Sequence, residues 1–158
     1  PNQPALLQKG VCGLFANATT SSAQRDAARS IMSAVGPVID VERESDIDAV
    51  TAVSGSGPAY FYLLIEMIEN AGVDFGLDED AARQLAIGTA IGAAALADSS
   101  DDSMAELIDR VRSPGGTTAA ALDSLEEDGV RDIFSRAISA ARERATELAD
   151  LAHTDPSN

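Results

Sequence analysis

The chain reads as mainly α-helical, and three observations predict it. Apolar residues make up 45 % of its 158 positions, largely as alanine, and aromatics only 4 %; such a composition suits close-packed helices better than a sandwich or barrel built on large side chains. From Glu44 onward every long apolar pattern recurs at helical spacing. The breaks between those patterns are capping residues, glycines and prolines, the punctuation of helix ends. At this length a single domain buries roughly 70 % of its unfolded surface, and one and a half domains also fit.

Residues 1–42 differ from the rest. Residues 11–16 are a short apolar run with strand character. Residues 21–35 place Ala23, Ala27, Ala28, Ile31, Met32 and Val35 at helical spacing behind capping candidates. Gly36 and Pro37 then lead to a second short strand at 38–41. Strand, helix, strand is a βαβ-like unit with no sheet to join, and with Pro1 as the opening residue it points to residues upstream.

Beyond it, Ile47, Val50 and Val53 predict a helix that stops at residues 54–57, Ser-Gly-Ser-Gly, with Pro58 opening a second helix to about Ala71. That second helix is apolar nearly all round, from Tyr60 and Phe61 to Met67 and Ile68. Asp78 caps the next, which carries no charge between Arg83 and Asp98 and sets Gly88 and Gly92 four apart, a spacing at which another backbone can come close. Helices with so little polar face are normally buried on all sides, and two of them cannot both be hidden in one small monomer. An obligate oligomer is expected. After an acidic loop at 99–103, Met104–Val111 is a short helix; Thr117–Glu127 is helical again, Gly129 ends it, and a last helix covers about 130–151. Residues 153–158 are expected to be a frayed tail.

The formal charge is −15, from 26 acidic against 11 basic residues, of which ten are arginine and only Lys9 is lysine. Such a surface repels phosphate backbones and anionic headgroups, so nucleic acids and membranes are not expected partners. It also suits a salt-rich cytoplasm, whose signature is a melting temperature that rises from low to molar salt. Cys12 is the only cysteine and His153 the only histidine, which leaves no intrachain disulfide, no support for a metal site and no Ser/His/Asp triad. The longest uncharged run, residues 49–65, is broken by Ser-Gly-Ser-Gly-Pro and falls short of the roughly 20 residues a bilayer span needs. No signal peptide is visible.

The stretch with most chemical promise is Arg-Ser-Pro-Gly-Gly-Thr-Thr at 112–118. Ser113 is placed to cap a helix that Pro114 opens, and Gly115 and Gly116 leave its first amides bare. Convergent bare amides at a positive helix end take a carboxylate or a phosphate; a well-capped helix start without a ligand is the alternative. Arg110 and Arg112 either clamp an anion or neutralise nearby acids, the commoner role of arginine on helices, which makes the backbone amides the better anion ligands. Each helix-end contact contributes about 0.3–1 kcal/mol, and up to about 2 when partly buried, so a second subunit or domain must close the pocket. Residues 54–58 invite comparison with a nucleotide-binding glycine loop, but Tyr60 stands where the third glycine belongs and a helical pattern precedes it. They read as a helix break. The acidic runs Asp101-Asp102 and Glu126-Glu127-Asp128 read as solvated surface.

Residues 50–60, Val-Thr-Ala-Val-Ser-Gly-Ser-Gly-Pro-Ala-Tyr, and residues 113–118, Ser-Pro-Gly-Gly-Thr-Thr, resemble in order and spacing the two hallmark stretches of the pyrroline-5-carboxylate reductases. Pro1-Asn2-Gln3-Pro4-Ala5 is similar to that family's Pro-Asn-Thr-Pro-Ala segment, with Gln3 as the departure. The resemblance implies a helical dimerisation and substrate-binding domain of the 6-phosphogluconate-dehydrogenase-like C-terminal type at 43–152. It would be preceded at 1–42 by a βαβ-like remnant of a Rossmann dinucleotide-binding domain. Implied with it is a cytoplasmic, interlocked homodimer that uses NADPH or NADH to reduce 1-pyrroline-5-carboxylate to L-proline. Ser113, Gly115, Gly116, Thr117 and Thr118 would hold the substrate carboxylate, largely through backbone amides. The Thr118 hydroxyl would face the ring nitrogen, and Pro1 and Asn2 would lie near the nicotinamide. No Gly-x-Gly-x-x-Gly follows a strand here, so an N-terminal domain outside these residues would bind most of the cofactor, and this chain alone is not expected to turn over substrate. A helical dimerisation module that binds a small carboxylate without catalysis is the alternative.

Overall fold

The structure is a computed structural model in which residues 1–154 are described, with side chains as far as Leu151. It divides into two compact units, Pro1–Tyr60 with Phe134–Asn158, and Phe61–Ile133.

In the first unit a short 3-10 helix, Gln3–Leu7, leads to β1 (Cys12–Leu14), α1 (Ser22–Ser33) and β2 (Val38–Asp40). The strands pair in parallel, Cys12 opposite Val38 and Leu14 opposite Asp40, as a strand-helix-strand unit requires. A reciprocal cap starts α1: the Ser21 hydroxyl accepts from the Gln24 N–H, and the Gln24 side chain accepts from the Ser21 N–H. Arg25 and Arg29 of α1 both reach Asp40 at the end of β2, which locks the helix to the strand it precedes. Cys12 and Ala52, each 1 % exposed, are the fully buried apolar residues described here. Part of the last helix, α7 (Val130–Thr154), belongs to this unit, and Thr146 of that helix donates to Asp48 at 2.8 Å.

The expected helix stop at 54–57 is a bulge instead. α2 (Asp46–Val50) runs into a π-helical turn, Thr51–Gly55, and continues through Ser56, still right-handed at φ −80° and ψ −18°, into α3 (Gly57–Asp74). The Ser56 N–H reaches back five residues to the Thr51 carbonyl at 2.8 Å. Pro58 accounts for this: it brings no N–H, and its ring presses on the carbonyl four residues earlier, so the ladder slips by one residue rather than ending. Helix α3 also continues to Asp74, past the expected Ala71.

In the second unit, Asp78 caps α4 (Glu79–Ser99) by accepting from the N–H groups of Asp80 and Ala81. Ser103 and Glu106 form a capping box at the start of α5 (Met104–Val111). Then comes α6 (Thr117–Glu127), followed by Gly129 at φ 69°. Helices α3 and α4 come close at Gly72, where an added Cβ would sit 3.1 Å from the Ala82 Cβ. Among the described residues of this unit only Ala82, Ala86 and Ala119 are buried. The apolar faces of α3 and α4 are not hidden within the chain: Phe61 is 63 % exposed, Met67 56 %, Leu85 59 % and Ile91 65 %. A Cβ on Gly88 or Gly92 would meet nothing within 4 Å, so among the described residues no helix packs there. Helix α7 runs on to Thr154, past the expected 151; the tail expectation for 155–158 and the side chain of His153 lie outside the described residues.

Candidate functional site

Residues 113–116 form a turn, not a helix start. The Gly116 N–H donates to the Ser113 carbonyl at 2.9 Å, and Gly115 sits at φ 69°. Proline followed by a left-handed glycine is the signature of a type II turn, which overrides the equally legible proline at a helix's first position. The cap of α6 is therefore Gly116, extended at φ −83° and ψ 171°, and it makes no side-chain cap hydrogen bond because it has no side chain. The sequence placed the cap at Ser113; the fold moves it past the glycine pair.

This shift opens the helix end further. No acceptor among the described residues faces the N–H groups of Thr117, Thr118 and Ala119, and the first helical bond that α6 makes is from Ala120 to the Gly116 carbonyl at 3.2 Å. Neither threonine hydroxyl has a hydrogen-bond partner among the described residues; Thr117 is exposed and Thr118 half-buried. Three free amides and two free hydroxyls at the positive end of an 11-residue helix form a cradle for a small anion.

The arginines ahead of the turn are occupied. Arg110 pairs with Asp102 at 2.5 Å, and Arg112 pairs with Asp123 on α6, spanning the turn. They neutralise acids, as expected, and leave anion binding to the backbone. The Asp123 partnership was not legible from sequence, because nothing in the spacing of 11 residues identifies it before the turn geometry is known. Nearby, Arg131 hydrogen-bonds Glu126 and holds its carboxyl below the usual range, with a smaller contribution from the charge of Arg112.

Pro1 and Asn2 belong to the first unit. The Asn2 side chain is engaged at both ends: its Oδ1 accepts from the Val11 N–H at 2.9 Å and its Nδ2 donates to the Ser54 carbonyl at 3.0 Å. Two further bonds serve the π turn. The Tyr60 hydroxyl donates to the Ala52 carbonyl at 3.0 Å and the Ser54 hydroxyl to the Val50 carbonyl at 3.0 Å. None of these links was visible in the sequence.

The described residues do not supply a dinucleotide cradle. The β1–α1 connection, residues 15–21, contains no glycine, and the start of α1 is closed by its own capping box. Pyrophosphate binding needs the opposite, a glycine turn that leaves helix amides free. A groove of about 770 Å³ lies beside Gly13, Ile39, Val53 and Ser54. Among the described residues no group of three or more His, Cys, Asp or Glu is placed to hold a metal, and no helix is long and apolar enough to cross a membrane.

Comparison with known proteins adds an independent finding. The chain is 49 % identical over 150 residues to the pyrroline-5-carboxylate reductase of Pseudomonas aeruginosa, covering 95 % of this chain and 55 % of that protein. It is 43 % identical over 148 residues to the one from Synechocystis, covering 94 % and 55 %. The chain thus spans about half the length of the curated relatives it matches. Among solved structures, a pyrroline-5-carboxylate reductase from Coxiella burnetii matches with a TM-score of 0.89 at 43 % identity, covering 94 % of this chain and 55 % of that one. The Plasmodium falciparum pyrroline carboxylate reductase, solved with NADP bound, matches with a TM-score of 0.85 at 33 % identity, covering 94 % and 60 %. Residues 44–148 match the family model for pyrroline-5-carboxylate reductase dimerisation. With the family model matched over residues 44–148 and a solved relative sharing the fold at 43 % identity, the chain belongs to the pyrroline-5-carboxylate reductase dimerisation family.

Proposed function

We propose that this chain is the dimerisation and substrate-binding half of a pyrroline-5-carboxylate reductase, which reduces 1-pyrroline-5-carboxylate to L-proline. The observation that carries the reading is the open start of α6, where the amides of Thr117, Thr118 and Ala119 lack acceptors behind a cap without a side chain. Ser113, Gly115 and Gly116 shape the turn that presents them. The substrate carboxylate sits on these amides, and the Thr118 hydroxyl faces the ring nitrogen. Hydride addition to a C=N bond needs the nitrogen protonated or hydrogen-bonded and the ring held in register, so a neutral donor and a fixed carboxylate suffice. A strong general base is not required.

NADPH or NADH supplies the hydride when bound, and residues outside this chain make most of its site. Residues 1–42 are the end of that cofactor domain, with Pro1 and Asn2 on its nicotinamide side, and 43–152 are the helical domain. The exposed apolar faces of α3 and α4 are covered by a second copy in a cytoplasmic homodimer. The test uses the full-length gene product: NAD(P)H oxidation with 1-pyrroline-5-carboxylate is expected, and Thr118→Ala should lower turnover by about 10²-fold. A full-length protein that binds carboxylates but oxidises no NAD(P)H would be a binding module instead. Unchanged kinetics would remove Thr118 from the chemistry.

A further inference from the structure

The π turn sets free backbone groups that a regular helix would pair, and two of the carbonyls take a side-chain donor instead. With the Ser56 N–H bonded to Thr51, the Ala52 carbonyl loses its helical donor, and the Tyr60 hydroxyl takes that place. The Ser54 carbonyl has a different problem. Its helical donor would be the N–H of residue 58, and Pro58 has none. The Asn2 Nδ2 donates there instead at 3.0 Å, from 52 residues away in sequence.

Only one orientation of the Asn2 amide satisfies both of its partners, since Val11 offers an N–H and Ser54 a carbonyl. That amide therefore joins three segments: the chain entry at Pro1, the start of β1 and the π turn. We propose that Asn2 is a positioning residue, whose side chain replaces the N–H that Pro58 lacks and thereby fixes Pro1 and the Ser54 turn in register for the reduction. The catalytic part rests on the reductase reading above; the structural part does not. Asn2 acts on the protein's own backbone rather than on the nicotinamide.

Pro58 makes the proposal testable, because Pro58→Ala restores an N–H to the Ser54 carbonyl and renders the Asn2 donor redundant. Asn2→Asp keeps the acceptor for Val11 but sets an oxygen against the Ser54 carbonyl; Asn2→Ala serves the same cycle should the aspartate variant fail to fold. In the native background Asn2→Asp should lower the melting midpoint of the chain by about 2–6 °C. In the full-length protein it should lower kcat about tenfold while leaving the KM for NAD(P)H within about twofold. In the Pro58→Ala background both effects should shrink to less than half. Equal losses in the two backgrounds, or a raised cofactor KM with kcat unchanged, would overturn the proposal. If the full-length protein shows no reductase activity, the reductase reading fails and the melting cycle alone decides for or against the Asn2–Ser54 link.

Discussion

At the scale of single residues, Gly116 carries two roles with opposite demands. As the cap of α6 it leaves the helix amides unsatisfied, which costs stability; as the floor of the proposed anion cradle it must leave them free. Gly116→Ser separates the two. A serine hydroxyl at the cap accepts from one of these amides, a gain of a few tenths of a kcal/mol, but its Cβ would stand 3.1 Å from the Ser113 carbonyl oxygen, so the melting temperature should change little while the KM for substrate rises several-fold. A melting curve and a substrate titration on the same variant check that the two effects separate. The residues of this cradle were legible in the sequence, but the position of the helix cap was not. Pro114-Gly115 reads both as a helix opening and as a turn, and only the left-handed backbone of Gly115 decides between them. Asn2 was legible as a candidate near the cofactor and not as the donor to Ser54, because a bond between residues so far apart leaves no pattern in the spacing.

At the scale of elements, helix starts capped by a side chain were readable, whereas the glycine-capped start of α6 and the helix interruption were not. Ser103 with Glu106 is a visible Ser-x-x-Glu pattern, and the structure forms the box: the Ser103 hydroxyl and backbone N–H both reach the Glu106 carboxylate, at 2.7 and 2.8 Å. The Ser103 hydroxyl, then its backbone N–H, hold the Glu106 carboxyl below its usual range. A carboxylate lowered in this way stabilises the fold above its unfolded pKa, and the contribution is lost as pH falls through the folded value. Ser103→Ala should therefore lower the melting midpoint by about 2–4 °C at neutral pH, with the difference from the parent shrinking as pH falls below the ordinary glutamate range. A difference that grew on acidification would contradict the assigned sign. The π turn, by contrast, was hidden behind glycine and serine propensities that argue for a break. A proline inside an otherwise continuous helical run ends it or bulges it, and the outcome depends on whether donors such as Asn2 and Tyr60 arrive from elsewhere to satisfy the displaced carbonyls.

At the scale of the molecule, the mainly helical class and the two largely apolar helices followed from composition and periodicity. Their destination did not follow from any contact inside the chain. Leu85, Ile91 and Leu96 on α4 are all more than half exposed, and the Gly88–Gly92 face is open. Burying such a face against a second copy predicts a dimer by light scattering, and Ile91→Glu should shift it to monomer or to aggregate, because a desolvated charge costs several kcal/mol. A folded, monodisperse monomer of the parent chain would refute the dimer. The proposed recognition of a cyclic imine's carboxylate by the free amides at the start of α6 joins all three scales. Its most direct measurement is the ratio of kcat/KM, in the full-length protein, for 1-pyrroline-5-carboxylate over unsubstituted 1-pyrroline. Two or more charge-assisted hydrogen bonds from those amides predict a preference of at least about 10²-fold for the carboxylate-bearing imine. Equal rates for the two substrates would contradict the account.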